Sequence, residues 1–149
     1  MPTSEADSRT LVREFHRRIL TEKDLDAVDE LLTEDYVEHN NALPDGELRG
    51  RESIKQFWEG FFEAFPDLSV TEEFTVAEDN LVVTRHRGGG THKGEFMGIP
   101  SSGNEFEING IDIFRIEDGR IAEAWVSLDS LGMMQQLGLV PEDATPEAE

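Results

Sequence analysis

At Pro66 the spacing of apolar residues along this chain changes, from a repeat of three to four before it to a repeat of two after it. A chain patterned this way builds helices first and strands afterwards. Leu11, Val12, Phe15 and Ile19 recur at helical spacing between Arg and Glu, which predicts an amphipathic helix from Ser4 or Asp7 to Leu20. Asp24 is placed to cap a second, short helix that turns Leu25, Val28, Leu31 and Leu32 inward. An extended piece, Tyr36 to Asn40, and a turn-rich loop, Asn41 to Gly50, lead to a third helix carrying Ile54, Phe57, Trp58, Phe61, Phe62 and Phe65, which Pro66 stops.

Beyond Pro66, Leu68, Val70, Phe74 and Val76 are expected on one strand face, and Glu78-Asp79-Asn80 turns the chain into a strand from Leu81 to His86. Gly88 to Gly90 interrupt before Thr91 to Pro100. A long strand from Asn104 to Ile116 meets Glu117-Asp118-Gly119 and returns as Arg120 to Leu128, a hairpin. A last helix, Ser130 to Leu137, ends at Gly138, and Pro141 to Glu149 reads as a frayed acidic tail. The order predicts an α+β domain with helices on one face of an antiparallel sheet. Gly88 to Gly90 and Gly110 imply a sheet curved enough to enclose a pocket. The 149 residues suit one hydrophobic core, so residues 1–149 are expected as a single domain with its core at about 8–139.

The chain has 33 Asp and Glu against 13 Lys and Arg, a net charge of −20, which repels phosphate backbones and anionic headgroups and argues against nucleic-acid or membrane partners. Only three of the basic residues are lysines, at positions 23, 55 and 93. Such a coat suits a salt-loaded cytosol, as in a halophile; an unusually acidic mesophilic protein is the other reading. The absence of cysteine excludes disulfides, thiolate metal sites and a cysteine nucleophile. The first residues carry neither a basic region nor an apolar stretch, and no apolar run reaches membrane-spanning length, so a cytoplasmic location is expected.

Strand alternation puts Asp112 on the same face as Phe106, Ile108, Phe114 and Ile116. A carboxylate in an apolar row must be hydrogen-bonded, paired or protonated, which makes Asp112 a candidate general acid or base, or else a structural aspartate satisfied by a neighbour. If Glu117-Asp118-Gly119 forms a type I turn with a glycine bulge, the preferred reading, Asp112 lies opposite Ala124 and shares its face with Ala122 and Val126. Ile111, Ile113, Ile121 and Trp125 then share the other face. A two-residue loop instead puts Trp125 opposite Asp112. Of the four histidines, His16 reads as a helix-surface residue. His39 and His92 read as polar groups at a pocket mouth, able to bind a carbonyl or shuttle a proton, or as solvated loop histidines. No metal-ligand spacing, nucleophile elbow or phosphate-binding glycine loop occurs, so neither a metal nor a cofactor is expected.

Asp35-Tyr36-Val37-Glu38-His39-Asn40, Phe65-Pro66-Asp67-Leu68 and the stretch Gly90 to Pro100 together resemble the SnoaL-like polyketide cyclase family. Gly110 to Arg115, Glu117 to Ile121 and Asp129 to Gly138 continue the resemblance. It implies the cone-shaped α+β fold of the nuclear transport factor 2-like superfamily, with a deep pocket and frequent homodimers or higher oligomers. It also implies cofactor-independent ring closure by an intramolecular aldol step. The family's acid/base aspartate falls on Val126, one of its pocket histidines falls on Asp112, and its Thr-His-x-Gly histidine is retained as His92. The candidate set is therefore Asp112 and His92 for chemistry, with Tyr36, His39, Trp58, Phe62, Phe114 and Val126 for ligand contact. Three functional readings follow: a cyclase or isomerase-like enzyme on a small, largely apolar carbonyl compound, a non-catalytic small-ligand binding protein, and a pocket-poor dimerisation module.

Overall fold

A computed structural model describes residues 4–141, so all but the first residue of the expected acidic tail lies outside the described region. Helix α1 spans Glu5–Phe15, opened by the Ser4 side chain, which accepts a hydrogen bond from the Asp7 amide at 3.1 Å. It continues directly into a π-helical segment, His16–Thr21. Val12, Phe15 and Ile19 are buried as expected, but so is His16, which was expected at the surface. The reason is spacing: His16 lies four residues after Val12 and three before Ile19, on the same inward stripe.

The short helix α2 (Ala27–Leu31) runs into strand β1 (Leu32–Asn40), followed by β2 (Glu47–Arg49) and α3 (Arg51–Ala64). Then come β3 (Ser69–Glu78), β4 (Leu81–Thr91), β5 (Glu105–Glu117), β6 (Arg120–Leu128) and α4 (Ser130–Gln136). The six strands form one unclosed sheet in the order β2-β1-β6-β5-β4-β3. The sheet is mixed, not wholly antiparallel, because β1 and β6 run parallel. A parallel pair needs a long crossover, and the whole stretch from β2 to β5 supplies it. No helix among the described residues is long and apolar enough to cross a membrane.

Two bulges redirect side chains. In β3 the register against β4 shifts between Glu72 and Phe74, which turns Phe74 and Val76 outward, 57% and 55% exposed, while Val70 stays partly buried. The expectation of one face for Val70, Phe74 and Val76 fails for that reason. At the β5–β6 hairpin, Asp118 and Gly119 both have positive φ (50° and 78°), as a two-residue type I′ turn requires, and Glu117 pairs with Arg120. A register shift between Arg115 and Ile116 then leaves Ala122 as the extra residue, so Asp112 faces Val126 and Phe114 faces Ala124. Neither expected register occurs, and Ile121 is buried instead of joining exposed Ile111 and Trp125.

Gly88 to Gly90 do not interrupt β4 but pair through it with Ile108, Glu107 and Phe106. A Cβ on Gly89 would lie 2.2 Å from the Phe106 carbonyl oxygen, so glycine is what lets these two backbones approach. The core forms two apolar clusters. One joins α1, the π segment and α2 to the sheet; the other joins the end of α3, Phe65, Leu68, β5 and α4. A cavity opens between them.

Candidate functional site

The cavity has a volume of about 110 Å³ and lies between α3, the end of the first helix and the concave face of the sheet. Phe57, Trp58 and Phe61 of α3 front it and are only partly buried, because this helix turns its aromatic face to the opening rather than to a filled core. Four polar side chains interrupt the apolar lining: Glu38 and Asn40 on β1, His86 on β4 and Asp112 on β5. Asn40, Val126, Asp112 and Thr84 are successive ladder partners, so one row crosses four strands.

Asp112 is 7% exposed, and its Oδ2 lies 3.1 Å from His86 Nε2, close enough to pair but outside hydrogen-bond geometry. Its Oδ1 and both ring nitrogens of His86 have no hydrogen-bond partner among the described residues. Gly110 pairs directly with His86, and a Cβ at Gly110 would meet His86 Cε1 at 2.7 Å. The missing side chain therefore makes the space in which the imidazole reaches Asp112. Behind His86 sits His16, with ring centroids 6.3 Å apart. Burial holds the His16 proton affinity below the usual histidine value, the Asp112 charge works against that, and the neighbouring His86 adds to it.

Across the floor, Glu38 is 3% exposed. It accepts from the Tyr36 hydroxyl at 2.9 Å on one oxygen and from Asn40 Nδ2 at 3.1 Å on the other. Burial pushes its carboxyl pKa up; the two hydrogen bonds oppose this, and the Asp112 charge adds to it. The Tyr36 phenol is pushed well above its usual range, first by burial and then by Glu38. Trp58 Nε1 is also buried without a hydrogen-bond partner among the described residues.

Of the residues singled out from sequence, Asp112, Trp58, Phe114 and Val126 line the cavity. Tyr36 is fully buried and reaches the cavity only through Glu38. Phe62 stacks on Trp58 at 5.6 Å and is not part of the lining. His39 projects to the opposite sheet face, because strand alternation sends it away from its neighbours Glu38 and Asn40. There its Nε2 contacts Glu123 at 2.7 Å, and its ring stacks on Trp125. His92 is fully buried against Phe65, with Nδ1 3.0 Å from Ser102 Oγ. Neither histidine stands at the cavity mouth; the histidine beside Asp112 is His86. Sequence reasoning passed over Glu38, Asn40 and His86. The signals were available: Tyr36, Glu38 and Asn40 alternate along one strand face, and His86 alternates with Val82 and Thr84.

The family profile described as SnoaL-like polyketide cyclase matches residues 10–137. Among proteins with curated descriptions none matches. Among solved structures, TsrD from Streptomyces laurentii is 33% identical, with 92% of this chain and 98% of that one covered and a TM-score of 0.80. Wild-type IdmH from Streptomyces antibioticus is 34% identical, over 88% of this chain and 98% of that one, with a TM-score of 0.76. A SnoaL-like polyketide cyclase from Agrobacterium tumefaciens, at 19% identity, 88% and 98% coverage and a TM-score of 0.73, shares the fold. With the profile spanning most of the chain and the fold reproduced in these neighbours, the protein belongs to the SnoaL-like polyketide cyclase family.

Proposed function

We propose that this protein binds a small, largely apolar carbonyl compound in the cavity and catalyses cofactor-independent acid/base chemistry on it, a cyclisation or isomerisation, with Asp112 as the base. The observation that carries this reading is the buried Asp112 carboxylate opening on the cavity 3.1 Å from His86. A carboxylate facing a largely apolar cavity is placed to take a proton from carbon, and the adjacent imidazole gives its charge a partner. Position 126, where the resemblance places the acid/base aspartate, is the direct ladder partner of Asp112, so the acid sits one strand over on the same floor. Trp58 Nε1 supplies a hydrogen-bond donor for a ligand oxygen. The cavity, about 110 Å³, is smaller than the apolar cavity of about 150 Å³ that holds benzene, so it takes the reacting end of a ligand whose remainder extends through the mouth. The valine at position 126 favours a second reading, binding without turnover.

Exchange of the α-hydrogens of 2-tetralone for deuterium, followed by NMR, separates the two. Wild-type protein is expected to accelerate exchange. Asp112→Asn is expected to abolish it while tryptophan fluorescence still reports binding; unchanged exchange in that variant excludes Asp112 as the base.

We also propose a homodimer through the outer sheet face, supported by exposed Phe74, Val76, Ile111 and Trp125, with sedimentation of Trp125→Glu as its test. The net charge of −20 is read as salt adaptation, so the urea midpoint is expected to rise as KCl is raised to molar levels.

A further inference from the structure

Two buried carboxyl groups open on the same cavity, and their surroundings differ. Asp112 has an imidazole nitrogen 3.1 Å away. Glu38 is held by neutral donors alone, the Tyr36 hydroxyl and the Asn40 amide. Among the described residues no Lys, Arg or His is ion-paired with Glu38, and adjacent His39 is turned to the other face against Glu123 and Glu47. Two like charges around one desolvated space cannot both be retained at low cost. Glu38, buried with no cation beside it, is the carboxyl that keeps its proton. The direction in which burial and the Asp112 charge move Glu38 agrees.

Register sets the spacing. Glu38 pairs with Ala124, and Asp112 pairs with Val126, so β6 alone separates the two strands. The strands therefore stand about 10 Å apart, with two small or medium apolar side chains between them. A carbonyl compound lying over Val126, which lines the cavity between the two strands, meets one carboxyl at each end.

We propose that Glu38 is the proton donor of the site, giving its proton to the carbonyl oxygen of the ligand while Asp112 takes one from the adjacent carbon. This rests on the reading of Asp112 as base. The C–H bond breaks, its proton passes to the Asp112 carboxylate, and its electron pair forms a C=C bond. The carbonyl π pair takes the Glu38 proton, giving a neutral enol and an ionised Glu38. In an isomerisation Asp112 returns its proton to a carbon and the enol O–H returns its own to Glu38. In a cyclisation the enol carbon attacks a second carbonyl, the new alkoxide takes the Asp112 proton, and the enol O–H again reprotonates Glu38. Both carboxyl groups end as they began, with no oxidant, metal or cofactor in the balance. A carboxyl group beside an imidazole and one held only by neutral donors divide the base and acid roles in this way. Tyr36 and Asn40 are positioning residues for the Glu38 carboxyl.

The test has two readouts. Infrared spectra of wild-type protein at neutral pH, with and without ¹³C-carboxyl glutamate labelling, are expected to show a protonated-carboxyl band that moves on labelling and is absent from Glu38→Gln. Absence of that band from the wild type overturns the proposal without depending on any variant's folding. In 2-tetralone exchange, Glu38→Gln is expected to lower the maximal rate about a hundredfold with KM within about threefold. Exchange in Glu38→Gln equal to wild type, while Asp112→Asn is inactive, overturns the donor role and leaves the base intact. Equal exchange in all three overturns the Asp112 reading. Wild-type exchange no faster than buffer overturns both roles, and the infrared band then still decides where the proton resides.

Discussion

His86 and His92 lie six residues apart, flank the same three glycines and are both buried, yet only His86 lines the cavity. His92 is packed on Phe65, its Nδ1 sits beside Ser102, and its backbone is tied to Asn104 and Gly103. Its partners come from the loop it organises. His86 has no hydrogen bond on either nitrogen among the described residues, a carboxylate beside it and the cavity in front of it. Burial alone therefore does not separate the two rings; what distinguishes them is that the protein holds His92 at Nδ1, leaving only its Nε2 without a partner among the described residues, and holds neither nitrogen of His86 by a hydrogen bond. An unsatisfied buried polar group is costly unless a ligand or a reaction uses it.

The comparison breaks most visibly at His92. His92→Ala removes a fully buried ring from a packed cluster and is expected to cost about 3–5 kcal/mol in urea unfolding, the range for large-to-small core changes. The exchange rate per folded molecule should stay within twofold of wild type; a large drop would place His92 in the chemistry after all. His86→Asn is expected to behave in the opposite sense, with exchange falling about tenfold to a hundredfold as Asp112 loses its partner, at a smaller cost in stability. Gly110→Ala sharpens the point. Its Cβ would meet His86 Cε1 and Leu128 Cδ2, each at 2.7 Å, so the ring must move. Overpacking of this kind costs about 1–3 kcal/mol. Combined with His86→Asn, Gly110→Ala should add little further loss of rate, because both act through the same imidazole.

The change of period at Pro66 was enough to read an α+β domain, and the inward face of β5 was legible from Phe106, Ile108, Asp112 and Phe114. Asp112 stood out as the one charge in an apolar row. The two bulges were not legible: an extra residue at Glu73 or Ala122 leaves local alternation intact on either side and reverses only the relation between the halves. The parallel β1–β6 pair was hidden for a different reason, since pairing between residues as far apart in sequence as Glu38 and Ala124 leaves no local pattern. His92 drew attention through its motif and His86 did not, because a histidine alternating with Val and Thr looks like any strand residue until its neighbour across the ladder proves to be a glycine.

The smallest expected effect concerns the two buried groups whose proton affinities move in opposite directions. His16 binds its proton less readily folded than unfolded, where its value is near 6.5. Its contribution is whole above that pH and is lost as pH falls below it, because the unfolded chain then takes up a proton that the folded one refuses. Glu38 binds its proton more readily folded than unfolded, where its value is near 4.5. Its contribution is whole below that pH and is lost as pH rises toward the higher folded value. Between pH 4.5 and 6.5 the two oppose each other. Each can change the slope of stability with pH by at most about 1.4 kcal/mol per unit. Unfolding in urea at pH 5 and at pH 7 should therefore show His16→Leu gaining stability relative to wild type at the lower pH. Glu38→Gln should gain relative to wild type at the higher pH. Differences from wild type cancel the titration of the acidic surface, which all three proteins share. A His16→Leu difference that does not vary with pH would show that the ring titrates in the folded protein as it does in water, and that the histidine behind His86 is not the desolvated neutral group its burial requires.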